Sequence, residues 1–223
     1  MYRFLKRFFD IIVSFTAIII FIPFFIPIAI ALKLTGEGYI FYFQDRLGYK
    51  NKTFRIWKFA TMLKNSPGLG TGSLTLKNDW RVTPMGKLLR ITKINEVPQL
   101  MNVLLGDMAI IGPRPLMKVD FEKFTPEIQA IFYNHKPGLT GIGSIVFRDE
   151  ETYFSNTTLD PHEFDRKFVA PYKGEVELWY QKHYSFTTDV LIIMLTVCAI
   201  LFPANTLVYK IFKDLPQKPS IFS

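Results

Sequence analysis

The hydrophobic pattern near the N-terminus is dominated by one long uncharged segment. Residues 11–32 form 22 consecutive positions without a charge, which is about the length that crosses a bilayer as a helix. Pro23 and Pro27 lie inside this segment, and proline breaks or kinks helices. Basic residues flank it on both sides, before residue 11 and at Lys33, and positive residues favour the cytoplasmic face. Two interpretations stay open: a single span, or a hairpin that enters the membrane, breaks near Pro23 and returns.

Two short β-rich segments follow. Residues 39–46 and 53–59 are rich in aromatic and β-branched side chains, and the glycine-containing stretch between them predicts an antiparallel hairpin. Residues 65–78 are rich in Gly, Ser, Thr and Pro, which predicts a loop. Residues 87–91 are predicted to form a short helix that leads into the centre of the chain.

The central stretch, residues 92–116, begins with helical spacing. Asn95 occupies an N-cap position, and Pro98 is tolerated in the first turn of a helix. Apolar residues then recur at helical spacing between residues 97 and 105, so one face of the helix is predicted to be buried. Gly106 predicts its C-terminal end.

The rest of this stretch combines an apolar run with a proline-rich loop. Residues 108–111 predict a buried strand, which ends in the sequence Gly-Pro-Arg-Pro at positions 112–115. Two prolines restrict the backbone on either side of Arg114, and a guanidinium on a stiff loop suits bidentate capture of phosphate. A divalent ion on Glu96 or Asp107 would complete a site for a diphosphate. The simpler alternative is an ordinary capped helix followed by a proline turn.

The C-terminal half continues the helical pattern. Residues 121–133 are predicted as a helix from their apolar spacing. Residues 165–184, which carry mixed charge and aromatic side chains, are predicted as another. Residues 190–209 carry no charge but are interrupted by Pro203 and Asn205. That segment can lie in the membrane interface as a helix, dip into the bilayer, or form a second span.

Composition narrows the class of protein. The 223 residues suit one compact domain plus membrane elements, and the net charge of +8 suits nucleic acid, anionic lipid or phosphorylated substrates. The chain has no basic stripe of the kind that binds nucleic acid, so nucleic acid is not an expected partner. Cys198 is the single cysteine, which excludes an internal disulfide and suits a reducing compartment. The three histidines lack metal-site spacing.

Several motifs occur in order along the chain and resemble those of a known family. In the centre they are Asn95-Glu96, Val97-Pro98-Gln99-Leu100, Asn102-Val103-Leu104, Gly106-Asp107-Met108 and Gly112-Pro113-Arg114-Pro115. Upstream, Gln44, Arg46 and Gly48 form one motif, and residues 58–62 form another in which Ala60 replaces an arginine. Together they resemble the bacterial sugar transferases, which are monotopic polyprenyl-phosphate phosphoglycosyl transferases. The resemblance runs from Lys6 to about Tyr184.

This resemblance implies an α+β fold and a particular placement at the bacterial inner membrane. Residues 1–35 are expected to form a re-entrant membrane helix. Residues 36–188 are expected to form a catalytic domain on the cytoplasmic face, with a small β-hairpin and several amphipathic helices at the membrane surface. Residues 189–223 are expected to be an apolar, membrane-associated segment. Residues 144–151 depart from the larger members, which implies the small-enzyme subgroup; a homodimer is compatible with it.

The resemblance also implies a reaction. Members transfer a sugar 1-phosphate from a UDP-sugar to undecaprenyl phosphate with Mg²⁺ and release UMP, as the first membrane step of surface polysaccharide or glycoconjugate synthesis. Carried over to this chain, the catalytic positions are Asn95, Glu96 and Asp107, with Glu96 as the metal ligand. The substrate-binding positions are Lys58, Arg81, Arg90, Gln99, Pro113, Arg114 and Arg148. From the residues alone, Lys58 can equally be a surface lysine, and Arg81 and Arg90 can pair with acids. The acidic residues at positions 149–151 are expected to be solvated.

One departure affects the implied mechanism. Members carry an aspartate nucleophile where this chain has Asn95, and a neutral amide is a very poor nucleophile. Glu96 or Asp107 could replace it, or assist direct transfer between donor and lipid. Alternatively the substitution is inactivating, or the chain is a non-catalytic membrane partner in a glycan assembly complex. We favour an active transferase, because the other motif positions are retained.

Overall fold

The computed structural model describes residues 2–35, 37–202 and 206–222, and over these residues it is rich in helix with two small sheets. The α-helices are, in chain order, α1 (Tyr2–Leu34), α2 (Pro84–Ile91), α3 (Gln99–Leu105), α4 (Lys118–Phe121), α5 (Pro126–Phe132), α6 (Ile142–Val146), α7 (Glu150–Asn156), α8 (Pro161–Phe164), α9 (Ala170–His183), α10 (Phe186–Leu201) and α11 (Leu207–Ile211). The strands are β1 (Phe41–Leu47), β2 (Thr53–Phe59), β3 (Ala109–Ile111) and β4 (Gly138–Thr140). The predicted α+β class is confirmed.

Strands β1 and β2 form the predicted antiparallel hairpin, with Phe41 opposite Phe59 and Leu47 opposite Thr53. A single buried amide attaches the hairpin to α3. Asn102 accepts a 2.9 Å hydrogen bond from the backbone N–H of Trp57 and donates one of 2.7 Å to the carbonyl of Arg55. Because Asn102 is fully buried, these bonds fix β2 relative to the helix that follows the site residues.

Strands β3 and β4 pair in parallel, with Ala109 opposite Gly138 and Ile111 opposite Thr140. The approach is so close that a side chain would not fit. A Cβ atom on Gly138 would lie 2.1 Å from the backbone nitrogen of Gly112, and one on Gly141 would lie 2.2 Å from the carbonyl oxygen of Gly112. Glycine is therefore required at positions 138 and 141, where β4 passes the start of the Arg114 loop.

The main hydrophobic core surrounds the central stretch of the chain. Val103 of α3 and Met108 and Ile111 around β3 are almost completely buried, against Val176 of α9 and Ile192 of α10. The segments that carry the candidate site are thus held by the best-packed part of the molecule.

Helix α1 is continuous through Pro23 and Pro27, so the break predicted near Pro23 is wrong. Each proline lacks an amide hydrogen and removes one bond of the helical ladder. The remaining bonds keep the helix intact. Because the two prolines are four residues apart, they lie on the same face of the helix.

One stripe of α1 contacts the globular domain at both ends of the helix. Near its start, the carboxylate of Asp10 accepts a 3.0 Å hydrogen bond from the backbone N–H of Ile110. Near its end, the ring of Phe25 packs 5.4 Å from that of Phe59, and Leu32 is buried. The opposite face of α1 is apolar and exposed. In the most apolar 18-residue stretch of the helix, only 6 % is buried. Within the described part of the chain, α1 is the one helix long and apolar enough to cross a membrane.

Two further helix predictions need correction or refinement. Residues 121–133 do not form one helix, because α4 ends at Phe121 and α5 starts anew at Pro126, a residue that suits a first helical position. The prediction for residues 165–184 is confirmed by a short π-helical segment, Asp165–Val169, that leads into α9. Helix α10 has 16 residues, or roughly 24 Å at 1.5 Å per residue, which is shorter than the ~30 Å core of a bilayer. The predicted interruption at Pro203 and Asn205 lies outside the described residues.

Candidate active site

A cleft of about 540 Å³ opens between the β-hairpin, the turn before α3, the loop after β3 and the segment that joins α6 to α7. Seven of the predicted site residues line it: Lys58, Arg90, Asn95, Glu96, Gln99, Arg114 and Arg148. Residues from four distant parts of the sequence therefore meet in one place. Arg81, Asp107 and Pro113 are not among the lining residues.

The turn before α3 places Asn95 and Glu96 on the cleft wall. Lys93 adopts the left-handed backbone conformation (φ 59°), and residues Ile94–Glu96 form a single 3₁₀ turn. The predicted N-cap role of Asn95 is wrong, because α3 begins only at Gln99 and the capping position is Pro98. Backbone bonds of the 3₁₀ turn already pair an amide that such a cap would satisfy, because the Val97 N–H donates to the carbonyl of Ile94 at 3.1 Å. The predicted helix end at Gly106 is confirmed by its φ of 97°.

The loop after β3 is held by backbone bonds on both sides. Gly112 donates to the carbonyl of Thr140 at 3.0 Å, and Gly138 donates to the carbonyl of Pro113 at 2.9 Å. Pro113 is buried and accepts one of these bonds. We therefore assign it to supporting the loop and not to the predicted substrate contact. The guanidinium of Arg114 therefore extends into the cleft from a fixed backbone.

Glu96 is the centre of the ionic contacts in the cleft. Its Oε1 atom lies 3.2 Å from Lys58 Nζ and 3.1 Å from Arg114 Nη2. The Glu96 and Lys58 side chains are 16 % and 17 % exposed, whereas Arg114 is 45 % exposed. Arg114 is thus the partner that reaches furthest toward solvent, where an incoming anion would meet it first.

The electrostatic balance of this cluster is positive. Burial alone would raise the pKa of Glu96, but the charges of Lys58, Arg114 and Lys93 outweigh it and hold that pKa well below its usual range. Burial lowers the pKa of Lys58 to about 8; Glu96 opposes this shift, while Arg114 and Arg46 add to it. Lysine and arginine side chains outnumber aspartate and glutamate side chains along the cleft wall, and this surplus positive charge favours an anionic ligand.

Three polar atoms on the cleft residues are buried without a hydrogen-bond partner among the described residues. They are Asn95 Oδ1, Arg46 Nε and Arg148 Nη1. Buried polar atoms are normally satisfied, so unpaired ones call for an explanation such as an absent ligand. Two of the three are guanidinium donors, which again fits an anion.

The rim of the cleft is closed by two ion pairs from α7. Glu150 lies 2.6 Å from Lys173 of α9, and Glu151 lies 2.6 Å from Arg90 of α2. The expectation of solvated acids is confirmed for Glu151, whose side chain is 49 % exposed although it pairs with Arg90, and it is wrong for Glu150, which is only half-buried and pairs with Lys173. Asp149 is exposed, as predicted.

Arg81 has a different role from the one predicted. It is 1 % exposed and lies 2.6 Å from Asp79. Its remaining donors bond to the loop that precedes it, at the carbonyls of Ser66, Leu69, Gly72 and Leu74 and the hydroxyl of Thr71. Because these contacts use the guanidinium fully, we assign Arg81 to holding the loop and withdraw the substrate contact.

Asp107 also lies apart from the site. It follows the C-terminal end of α3, is exposed, and accepts a 3.3 Å hydrogen bond from Asn102. Glu96 precedes the opposite end of that helix. The length of α3 separates the two carboxylates, so the predicted catalytic role of Asp107 is not compatible with this placement.

The donor set can accommodate Mg²⁺ only in a limited way. No group of three or more His, Cys, Asp or Glu side chains suited to a metal occurs in the part of the chain that the structure describes. Mg²⁺ is commonly held by one or two carboxylates plus substrate phosphates and water. Both hydrogen bonds of Glu96 use Oε1, and its other oxygen has no hydrogen-bond partner among the described residues. Glu96 therefore fits an ion that arrives together with a phosphorylated ligand.

Sequence reasoning did not select three of the cleft cations. Arg46, Lys93 and Lys173 all line the cleft. Arg46 lies in the upstream Gln44 motif, which was a usable signal. Lys93 and Lys173 carry no sequence signal, since the turn of Lys93 and the pairing of Lys173 with Glu150 arise only in the fold.

The chain is similar to a family of known proteins over most of its length. The family model described as "bacterial sugar transferase" matches residues 1–203. The UDP-N-acetylgalactosamine-undecaprenyl-phosphate N-acetylgalactosaminephosphotransferase of Aeromonas hydrophila is 36 % identical over 202 residues, which cover 90 % of this chain and 44 % of that protein. The UDP-glucose:undecaprenyl-phosphate glucose-1-phosphate transferase of Klebsiella pneumoniae is 37 % identical over 196 residues, covering 86 % of this chain and 39 % of that protein.

A third relative is closer in length. The exopolysaccharide production protein ExoY of Sinorhizobium fredii is 30 % identical over 210 residues, which cover 87 % of this chain and 84 % of that protein. The chain thus spans less than half of the first two relatives but most of this one.

Proposed function

Because the chain belongs to the bacterial sugar transferase family, we propose that it transfers a sugar 1-phosphate from a UDP-sugar to undecaprenyl phosphate and releases UMP. The family predicted from the motifs is confirmed. The names of the Aeromonas and Klebsiella relatives support the substrate classes. The ExoY relative supports a place in the synthesis of surface polysaccharide.

The ionic cluster around Glu96 is the observation that carries this proposal. A nucleotide diphosphate brings at least two negative charges, and the charges of Lys58, Lys93 and Arg114 all act on the Glu96 carboxylate. The stiff loop gives the Arg114 guanidinium a fixed direction, which favours bidentate contact with a phosphate. Lys58 adds a compact charge beside it. Together they would orient the diphosphate and stabilise charge that develops on it during transfer.

Three further predicted substrate-binding residues line the cleft and are part of this proposal. Gln99 is almost completely buried on the cleft wall, and Arg148 has an unpaired donor in the same wall. Arg90 can reach substrate once its bond to Glu151 is released. Mg²⁺ bound to Glu96 and the diphosphate would neutralise phosphate charge and favour departure of UMP.

The lipid acceptor calls for a membrane location. We propose the cytoplasmic face of the bacterial inner membrane, with α1 embedded in that face as an unbroken helix rather than as the expected re-entrant one. Both ends of α1 contact the same domain, which places both of its basic flanks on one side. Its exposed apolar face, joined by exposed side chains such as Met194 and Leu201 of α10, would enter the lipid. A homodimer and the lack of a nucleic-acid partner remain predictions.

The ionic site also distinguishes this proposal from the alternative of a non-catalytic membrane partner. A protein that only bridges other proteins has no use for paired cations around a buried carboxylate in a cleft. The names of the relatives likewise favour a transferase.

The test is UMP release from UDP-N-acetylgalactosamine, UDP-glucose and UDP-galactose by the full chain in detergent, with undecaprenyl phosphate and Mg²⁺. We expect release with at least one donor and a loss of kcat/KM of about 100-fold or more in Arg114→Met, since removal of one transition-state donor typically has this size. Arg55→Met is the matched control, because the Arg55 side chain is exposed and lies 3.6 Å from Asp45, outside the cleft lining. Absence of release with every donor, or equal activity in Arg114→Met, would overturn the proposal.

A further inference from the structure

We propose that this protein transfers the sugar phosphate directly from the donor to the lipid phosphate, with no covalent bond to the protein. The inference rests on the proposed function, and it differs from the two-step route implied by the family resemblance. It follows from the state of Asn95 and of the carboxylates at the cleft.

Asn95 stands at the position of the family's nucleophile, and its amide cannot take over that role. The nitrogen lone pair is delocalised into the carbonyl, and the group is neutral at all physiological pH values. The oxygen Oδ1 is buried and has no partner in the described part of the chain. It can accept a hydrogen bond or contact a cation, but it carries no charge with which to displace UMP.

Glu96 is a carboxylate, yet its geometry suits a different task. Its Oε1 atom bonds to both Lys58 and Arg114 at 3.2 and 3.1 Å. Attack on phosphorus through its other oxygen would turn Oε1 into an uncharged carbonyl oxygen and weaken both contacts. It would also remove the negative charge that holds the two cations in place. Glu96 therefore serves as a fixed counter-charge and potential metal ligand.

The other acids are also unsuited. Asp120 and Asp165 line the cleft, but both are paired with Lys123. Asp107 lies beyond the far end of α3, outside the cleft. Glu150 and Glu151 are bound to Lys173 and Arg90 at the rim. Asp149 is exposed there. Among the described residues that line the cleft there is no cysteine or histidine, and these are two side chains that often act as nucleophiles in covalent catalysis.

Direct transfer requires two anions to be bound at the same time, and the cleft has donors for both. The cluster around Glu96 supplies Lys58 and Arg114 for one of them. Arg46 Nε and Arg148 Nη1 are further buried donors without a partner in the described residues. A covalent route would use one phosphate site in turn for donor and acceptor, whereas these additional donors provide for both together.

The step balances without any further reactant. An ionised oxygen of the lipid phosphate attacks the β-phosphorus of the UDP-sugar and forms a new P–O bond. The bond between the β-phosphorus and the bridging oxygen breaks, and UMP leaves with that electron pair. No proton has to move, because the attacking phosphate and the departing UMP are both largely ionised at neutral pH.

Isotope exchange tests this inference. The full chain is incubated with radiolabelled UMP, Mg²⁺ and the unlabelled UDP-sugar that supports turnover, without any lipid phosphate. Direct transfer predicts no label in the UDP-sugar, since the donor bond breaks only when the acceptor is bound. Intact-protein mass spectrometry should show no sugar-phosphate adduct. Asn95→Asp is the matched variant, and we expect it to gain both exchange and adduct.

The outcomes separate this inference from the proposed function. Exchange or an adduct in the unaltered protein would overturn direct transfer and leave the proposed function standing. Absence of UMP release even with undecaprenyl phosphate would overturn both. Acceptor-dependent release without exchange supports both, and initial rates should then show intersecting rather than parallel lines when donor and acceptor are varied.

Discussion

Tyr133 donates a 2.9 Å hydrogen bond from its phenol to the carbonyl oxygen of Arg114. The same phenol oxygen accepts a 2.8 Å hydrogen bond from the backbone N–H of Leu116. One buried side chain thereby joins the two backbone groups on either side of Pro115. The aim of the Arg114 guanidinium depends on this contact, although Tyr133 is not among the residues that line the cleft.

Replacing Tyr133 by phenylalanine should weaken donor use more than folding. The ring would keep its packing against Phe121 and Phe132, while both hydrogen bonds would be lost. We expect kcat/KM for the UDP-sugar to fall about tenfold, which corresponds to about 1.4 kcal/mol and is a reasonable size for lost positioning bonds. Initial rates of UMP release over a range of donor concentrations measure this.

Tyr172→Phe is the control for that variant. Tyr172 is similarly buried, and its phenol also makes two hydrogen bonds, to Tyr209 at 2.9 Å and to the carbonyl of Pro216 at 3.0 Å. It is not among the cleft-lining residues. Equal losses of activity in the two variants would show that Tyr133 acts through general stability and would remove its positioning role.

Lys58 should impose an upper pH limit on donor capture. Its pKa is lowered to about 8 by burial, against an ordinary value of 10.5. The ammonium is therefore charged below about pH 8 and loses its charge as the pH rises through that value. Because kcat/KM reports ionisation of the free enzyme, we expect it to fall above about pH 8 in a profile of UMP release from pH 6 to 10.

Lys58→Arg separates this residue from other titrations. Arginine keeps its charge over the whole range, so the variant should be less active at neutral pH but flat above pH 8. An unchanged decline in the variant would assign the titration to another group.

Arg7 should link the membrane helix to the site. It donates from Nη1 to the carbonyl of Val103 at 2.6 Å and from Nη2 to that of Leu104 at 2.8 Å. These carbonyls belong to the last turn of α3, and that of Val103 also accepts a 3.1 Å hydrogen bond from the backbone N–H of Gly106. In Arg7→Met we expect about a fivefold loss of kcat/KM with the membrane-bound fraction unchanged. Arg3→Met removes the same charge from an exposed position, and a similar loss there would argue against a specific link.

Arg81 should contribute to stability rather than to binding. Arg81→Met would leave Asp79 buried without its partner, and breaking a buried pair in this way typically costs about 3–5 kcal/mol. We expect a clear drop in melting temperature that added UDP-sugar does not specifically reverse. A normal melting temperature combined with a raised donor KM would restore the substrate contact that the sequence predicted.

The sequence predicted the elements of the central stretch better than their ends. Spacing located the strand before Arg114 and the glycine end of α3, because both follow from local patterns. It misplaced the start of α3, because the left-handed turn at Lys93 and the 3₁₀ turn after it depend on the surrounding fold. The continuity of α1 was missed for a related reason, since two missing hydrogen bonds do not outweigh the rest of a long helix.

The candidate site shows the same division. Motifs identified Glu96 and Arg114. No sequence pattern could show that one oxygen of Glu96 contacts both Arg114 and Lys58. Arg81 and Asp107 were selected by their motifs, but in the fold neither of them lines the cleft. Residue type and spacing predict which groups are capable of chemistry, and only packing decides which of them share a cleft.

A structure of the full chain bound to its UDP-sugar and Mg²⁺ tests the central claim most directly, and the quantity to measure is the distance from the diphosphate oxygens to Arg114 and Lys58. We predict hydrogen-bond distances from the diphosphate to both side chains, with the sugar-linked phosphate beside Glu96. A diphosphate bound elsewhere on the protein, with Glu96 still paired to Lys58 and Arg114 in an empty cleft, would contradict the account.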